Sequence, residues 1–321
     1  MTRMMAGETQ GLFVRASEGD KRAFGRLLTR IEENPRESSA VLQSLAEKVV
    51  DRRDSGVVGV VGAPGVGKST LVGALVGMLA TDHPRVGVLA IDPTSPLSGG
   101  AVLGDIVRMQ AHAHRPNVFA RSMATRGHQG GLSRSAPEVV AVLRALGLEP
   151  IIVETSGAGQ ADVEVRDIAD TVAVVVVPGW GDSIQVIKAG LLEIADIYVV
   201  NKADQEGALA AARDLERMLA YSKPRPGWVP KVVQTVAASG SGIRELWEQI
   251  VAHRQYLAST GAGYERRRQQ MATIIRRMTL AELGPTWRDG TLLRLADRVL
   301  GRELDLARAV AEAKAGLVET A

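Results

Sequence analysis

The sequence predicts an α/β fold, a doubly wound and mostly parallel sheet with helical extensions at both ends, and three observations carry that prediction. A glycine loop, Gly62-Ala63-Pro64-Gly65-Val66-Gly67-Lys68-Ser69-Thr70, follows directly on the apolar run Val57-Val58-Gly59-Val60-Val61. From there to about residue 255, short β-branched runs alternate with segments of helical periodicity. Beyond that point the strand signals stop and charged, amphipathic helical patterns remain. The expected division is a helical extension over 1–54, an α/β domain over 55–255 and a helical region over 256–321.

In the first segment, Phe24, Leu27, Leu28 and Ile31 recur at helical spacing, and Asn34-Pro35 breaks the pattern before Val41, Leu42, Leu45, Val49 and Val50 resume it. Strands are expected at 57–61, 86–91, 151–153, 171–177, 197–200 and 231–236. Several carry almost no polar residue, which suits parallel strands covered by helices on both faces. Between them lie helical stretches such as 137–146, closed by Gly147, and 209–219. After 255, helices are expected over 265–283, 292–300 and 303–315, punctuated by Gly284-Pro285, Asp289-Gly290 and Gly301.

A chain of 321 residues with 45% hydrophobic content buries a sizeable core. It contains no Cys, which removes disulfides, thiolate metal sites and Cys nucleophiles. With 39 Lys and Arg against 36 Asp and Glu, the net charge of +3 gives little reason to expect nucleic acid as a partner. The run Arg266-Arg267-Arg268 with Arg276-Arg277 reads as a solvated helix face. The N-terminus lacks an apolar core of signal-peptide length, and no apolar stretch is long enough to cross a bilayer. A soluble, cytoplasmic protein without a membrane partner is expected.

The loop completes the pattern G-x-x-x-x-G-K-[ST] between a strand and a helix, the context in which it cradles phosphates. Its backbone N–H groups and the helix N-terminus would face the phosphates, Lys68 would neutralise the β and γ oxygens, and the Ser69 hydroxyl would reach Mg²⁺. Asn201-Lys202-Ala203-Asp204, at the end of an expected strand, has the form N-K-x-D. An Asp there accepts hydrogen bonds from the guanine N1–H and amino group, a pair that adenine lacks, so the nucleotide is expected to be GTP or GDP. Val236, Ala237 and Ala238, after the last strand, stand where a backbone N–H would meet the guanine O6. Phosphoryl transfer needs carboxylates at strand ends to place the metal and its water. Asp92, Asp105 and Glu154 are the candidates, with Lys68, for the catalytic group and, with Ser69, for the Mg²⁺ site. Glu154-Thr155-Ser156-Gly157 has the form of a D-x-x-G switch with Glu in place of Asp, and Gly157 would sense the γ-phosphate.

These motifs, together with Ile91-Asp92-Pro93-Thr94-Ser95-Pro96, the stretch from Gly99 to Met109, Glu154 to Gln160 and Ala195 to Asp204, resemble the MeaB/ArgK-type GTPases associated with methylmalonyl-CoA mutase. The resemblance covers roughly residues 20–260. It implies a P-loop GTPase of low intrinsic rate that chaperones an adenosylcobalamin-dependent acyl-CoA mutase, gates cofactor loading or removal and protects the mutase from inactivation. It also implies a homodimer formed through the C-terminal helices. Arg108 and the segments 122–131 and 179–190, with Lys188, fall at or near the surface that would communicate with the partner. The glycine density of 125–131 independently suggests a mobile loop.

The sequence departs from the family pattern at Ser156, Ala158, Ala161 and Asp162, so the cognate mutase is open between methylmalonyl, isobutyryl and hydroxyisobutyryl esters. Gln160 is a candidate for orienting water, and a contact within the switch loop is its alternative. A GTP-dependent metallochaperone is the rival reading, with His112 and His114 as the one close pair among five His. A kinase acting on a transport protein is a second rival, and preference for ATP would favour it.

Overall fold

The computed structural model describes residues 2–33, 41–43, 45, 56–92, 114–124, 135–157, 163–179, 191–221, 227–283 and 289–318. They fall into two compact units. One comprises Met1–Ser55, Arg134–Leu148 and Gly263–Ala321, and the other Gly56–Ser133 and Glu149–Ala262.

The second unit is a seven-stranded parallel sheet made of β1 (Val57–Val61), β2 (Val86–Asp92), β3 (Val118–Ala124), β4 (Ile151–Glu154), β5 (Thr171–Val176), β6 (Ile197–Asn201) and β7 (Lys231–Thr235), in the order β3-β2-β4-β1-β5-β6-β7. Strands β1, β2, β4, β5 and β6 are buried at every position, which explains their uninterrupted apolar sequences. One face carries Val58, Val60, Val88, Ala90, Ile152, Val175 and Val199 into a core with Leu71, Leu75 and Leu79 of the helix Lys68–Asp82 and Leu246 and Ile250 of the helix Ile243–Thr260. Each fully buried Leu or Ile contributes about 1.5–3 kcal/mol relative to leaving it exposed. On the other face Gly59 leaves room for Val165, whose side chain lies 2.8 Å from where a Cβ at Gly59 would stand.

The amino ends of the strands are pinned by side chains. The Asp170 carboxylate accepts the Val57 N–H at 2.9 Å and the Asp196 carboxylate accepts the Val172 N–H at 2.8 Å. Buried His253 places Nδ1 2.9 Å from Thr171 Oγ1 and Nε2 3.4 Å from Asp196 Oδ1, beneath the Trp228 ring. The carboxyl ends carry the glycine loop and the N-K-x-D turn instead.

In chain order the helices described are α1 (Thr2–Ser17), α2 (Lys21–Glu33), α3 (Lys68–Asp82), α4 (Ala136–Ala145), α5 (Leu191–Ile194), α6 (Ala208–Tyr221), α7 (Ile243–Thr260), α8 (Ala262–Leu283), α9 (Asp289–Leu300) and α10 (Leu306–Val318). In the first unit α1 packs on α2, α2 on α4, and α9 on α10. Phe24, Leu27, Leu28 and Ile31 of α2 are all buried, as their spacing predicts.

Four features depart from the expectations. Strand β3 carries no strand signal because Arg121-Ser122 interrupts it and its centre is half-buried, as befits a sheet edge. Ser122 to Ala124, expected to open the switch-like segment 122–131, are paired with Ala90 to Asp92 of β2. Helix α10 begins at Leu306 rather than 303, because the Asp305 carboxylate caps it by accepting the Arg308 N–H at 2.8 Å. The expected boundary at 255 falls inside α7, which runs to Thr260 and ends on left-handed Gly261.

Candidate functional site

The glycine loop leaves the buried end of β1 and turns into α3 at Lys68. Gly67 precedes that helix with φ 93°. A Cβ there would stand 2.5 Å from the Asn201 amide nitrogen, so only glycine lets the loop close against β6. Lys68 and Ser69 are 6% and 8% exposed in the first helical turn. The Lys68 ammonium donates to the carbonyls of Gly62 at 2.7 Å and Ala63 at 2.9 Å, which holds its charge across the mouth of the loop. The backbone N–H groups of the first turn of α3 have no partner inside the helix, and its dipole is positive at the same point.

Strand β4 brings Glu154 to this mouth. Its carboxylate is 2% exposed, and Oε1 accepts the Ser69 hydroxyl at 2.7 Å. Asp92 is 1% exposed at the end of β2, the strand next to β4. The Thr155 N–H donates to Val60 O at 3.2 Å, extending the pairing of β4 with β1 past its last regular residue. Gly157, at φ 81°, closes on the loop: a Cβ there would meet Gly62 O at 2.6 Å, Lys68 Nζ at 2.7 Å and Pro64 N at 2.9 Å. The E-T-S-G segment therefore lies directly against the glycine loop.

The base side is built on Asn201, which is 2% exposed. Its amide nitrogen donates to Val66 O at 2.9 Å, and its amide oxygen accepts the Thr235 hydroxyl and the Ala237 N–H, both at 3.1 Å. Lys202, at φ 56°, reaches back to donate to Gly65 O at 3.0 Å. Asp204 is exposed beyond them. The Val236 N–H donates to Ser241 O at 3.0 Å, so of the expected trio Val236, Ala237 and Ala238 the first two have their N–H groups engaged within the chain. The O6 contact expected of that trio narrows to Ala238.

Sequence reasoning passed over Thr235 as a side chain, although its position opposite Asn201 in the β6–β7 register is the signal that marks it. Thr70 is exposed and faces away from the buried pair Lys68 and Ser69. Asp105, Arg108, His112, Gln160, Lys188, the D-P-T-S-P continuation after Asp92 and the segments 125–131 and 180–190 lie outside the described residues.

The donor set fits a hard divalent cation. A hydroxyl and a carboxylate oxygen already 2.7 Å apart, with a second buried carboxylate on the neighbouring strand, are the all-oxygen ligands that Mg²⁺ takes. The close approaches at Gly67 and Gly157, and the two links from Asn201 and Lys202 to the loop, bring the N-K-x-D turn and the glycine loop together at one mouth. Among the described residues, no three His, Cys, Asp or Glu stand together as a metal cluster, and no helix is long and apolar enough to cross a membrane.

A family model described as methylmalonyl Co-A mutase-associated GTPase MeaB matches residues 24–289. A putative GTPase of Pyrococcus abyssi is 42% identical over 301 residues, spanning 92% of each chain. The methylmalonic aciduria type A homolog, mitochondrial, of Caenorhabditis briggsae is 33% identical over 264 residues, 75% of this chain and 64% of that one. Among solved structures, a crystal structure of a LAO/AO transport system kinase superposes with a TM-score of 0.67 at 25% identity, covering 98% of both chains.

Proposed function

Because the chain belongs to the family of methylmalonyl-CoA mutase-associated GTPases of MeaB type, we propose that this P-loop GTPase is a chaperone of an adenosylcobalamin-dependent acyl-CoA mutase. In that role it gates cofactor loading and removal and protects the mutase from inactivation. The observation that carries the reading is the hydrogen bond from Ser69 to Glu154, which ties the phosphate cradle to the first residue of the E-T-S-G segment. A change at the phosphates is thereby a change at the segment leading toward the partner-facing stretch.

In the proposed reaction water attacks the γ-phosphorus of GTP, the bond to the β–γ bridging oxygen breaks, and that oxygen leaves on GDP. A Mg²⁺ ion bound here would supply neutralisation of the negative charge that develops in phosphoryl transfer. Ser69, Asp92 and Glu154 are the residues that would hold that cation or its water. Lys68 leaves its loop carbonyls for the phosphate oxygens, and the backbone N–H groups between Gly62 and Thr70, all but Pro64 having one, cradle the chain of phosphates. Gly157 donates its N–H to the γ-phosphate and loses that bond on hydrolysis. Asp204 accepts from the guanine edge, Asn201 and Lys202 hold the base pocket against the loop, and Ala238 donates to O6. Asp105 belongs to the same proposed metal and catalytic group.

The chain is further proposed to act in the cytoplasm, in keeping with its lack of Cys, and as a homodimer through its C-terminal helices. Among the described residues, no group of three His, Cys, Asp or Glu favours the metallochaperone alternative. GTP turnover by the full chain, alone and with an adenosylcobalamin-dependent acyl-CoA mutase in excess, tests the proposal. Severalfold acceleration with co-elution is expected; unchanged turnover without co-elution would remove the mutase as partner.

A further inference from the structure

Two serine hydroxyls near the carboxyl ends of β3 and β4 carry an inference of their own. The Oγ atoms of Ser122 and Ser156 are shut off from solvent and have no hydrogen-bond partner among the described residues. A hydroxyl buried in this way costs free energy that an alanine of nearly the same size would not. One such position is an accident of packing, but two beside one site ask for a common partner.

Their places in the sheet show what they share. In β2, Ala90 is paired on one side with Glu154 of β4 and on the other with Ser122 of β3. Residues paired in register project from the same face, so Glu154, Ala90 and Ser122 form one row, with strands about 4.8 Å apart. Asp92 lies two residues beyond Ala90 and shares that face, diagonal to both Glu154 and Ser122. Ser156 lies two residues beyond Glu154, and the Thr155-to-Val60 hydrogen bond keeps the chain extended between them, which brings Ser156 level with Asp92. Ser122 thus stands across the small side chain of Ala90 from Glu154, and Ser156 stands beside Asp92 on the Glu154 side.

We propose that Ser122 and Ser156 are positioning residues whose hydroxyls hydrogen-bond the water shell of the divalent cation held by Ser69, Asp92 and Glu154. This inference rests on the reading of that site as the cation site of a guanine nucleotide. Mg²⁺ keeps several of its waters when bound by one or two carboxylates, and each water has protons that need acceptors. Ser122 and Ser156 supply such acceptors on the two strands that neighbour Asp92. The hydroxyls are held unpaired in the sheet so that the hydrated cation completes them.

The test is a titration of MgCl₂ into the full chain with a slowly hydrolysed GTP analogue, read as analogue affinity. In Ser122→Ala and Ser156→Ala the MgCl₂ concentration for half-maximal affinity rises about five- to tenfold, the loss of one hydrogen bond to a charged shell. GDP affinity in the presence of a chelator stays at the wild-type level, and the thermal midpoint of the nucleotide-free chain does not fall. Ser122→Thr, which keeps the hydroxyl and suits a strand, restores the wild-type half-saturation. Half-saturation within twofold of wild type in both alanine variants overturns the proposal, as does equal loss in Ser122→Thr and Ser122→Ala. If the wild-type chain itself binds the analogue with no dependence on MgCl₂, the cation-site reading fails instead.

Discussion

Asn201 spends both ends of its side chain on other elements, and little else in the site is so fully committed. Its amide nitrogen fastens the glycine loop at Val66, while its amide oxygen gathers Thr235 and Ala237 from the end of β7. Because each of those groups is buried, replacing Asn201 leaves several unpaired at once, and the loss falls on the shape of the pocket. Asp204 is the opposite case: it is exposed and serves the base alone in the proposed site. Asp204→Asn is expected to weaken GTP at least about tenfold and to improve xanthosine triphosphate, whose altered edge restores the pairing. Competition binding with the two nucleotides reads this out, and an unchanged base preference removes the guanine assignment.

At the scale of elements, α3 works because opposite requirements meet at its two ends. Its first turn buries Lys68 and Ser69 for phosphate chemistry, and its body buries Leu71, Leu75 and Leu79 against the sheet, so the cradle stands on a packed support. Truncating Leu75 to Ala is expected to cost about 2–5 kcal/mol. The corner between α1 and α2 depends on charge. The Asp20 carboxylate caps α2 by accepting the Ala23 and Arg22 N–H groups at 3.0 and 2.8 Å, and it pairs with Arg15. The bond from Ala23 first, and Arg15 after it, hold its carboxyl below the usual carboxylate range. A group depressed in this way adds stability above its ordinary value, and that stability is lost as the pH falls through its folded value. The neutral cap in Asp20→Asn is therefore expected to lower the thermal midpoint at neutral pH, with the gap to wild type closing in acid. Melting curves at both ends of that range check it; a gap that stays constant with pH assigns the effect to packing.

For the whole molecule, the two compact units are interleaved in sequence, since residues 134–148 leave the sheet-bearing stretch to join the first unit. A truncation at 256 would cut α7 and remove residues from a unit that also holds both N-terminal helices. The proposed dimer is therefore better tested on the intact chain. Sedimentation is expected to give twice the mass of one chain at micromolar concentration, and a single-chain mass would remove the dimer.

The sequence by itself determined the elements whose signals are local. Fully buried parallel strands read as apolar runs, a glycine loop between strand and helix has one geometry, and the α2 stripe has one face. The kind of site followed, because G-x-x-x-x-G-K-S and N-K-x-D carry their chemistry in adjacent residues. Tertiary structure alone decided which distant groups meet. Ser69 and Glu154 are 85 residues apart and Asn201 and Val66 are 135 apart, and they touch because β1 lies between β4 and β5 in a sheet whose order differs from chain order. Strand β3 was hidden for the same reason: a polar edge strand is stabilised by the neighbour it pairs with, and that neighbour is written elsewhere in the chain.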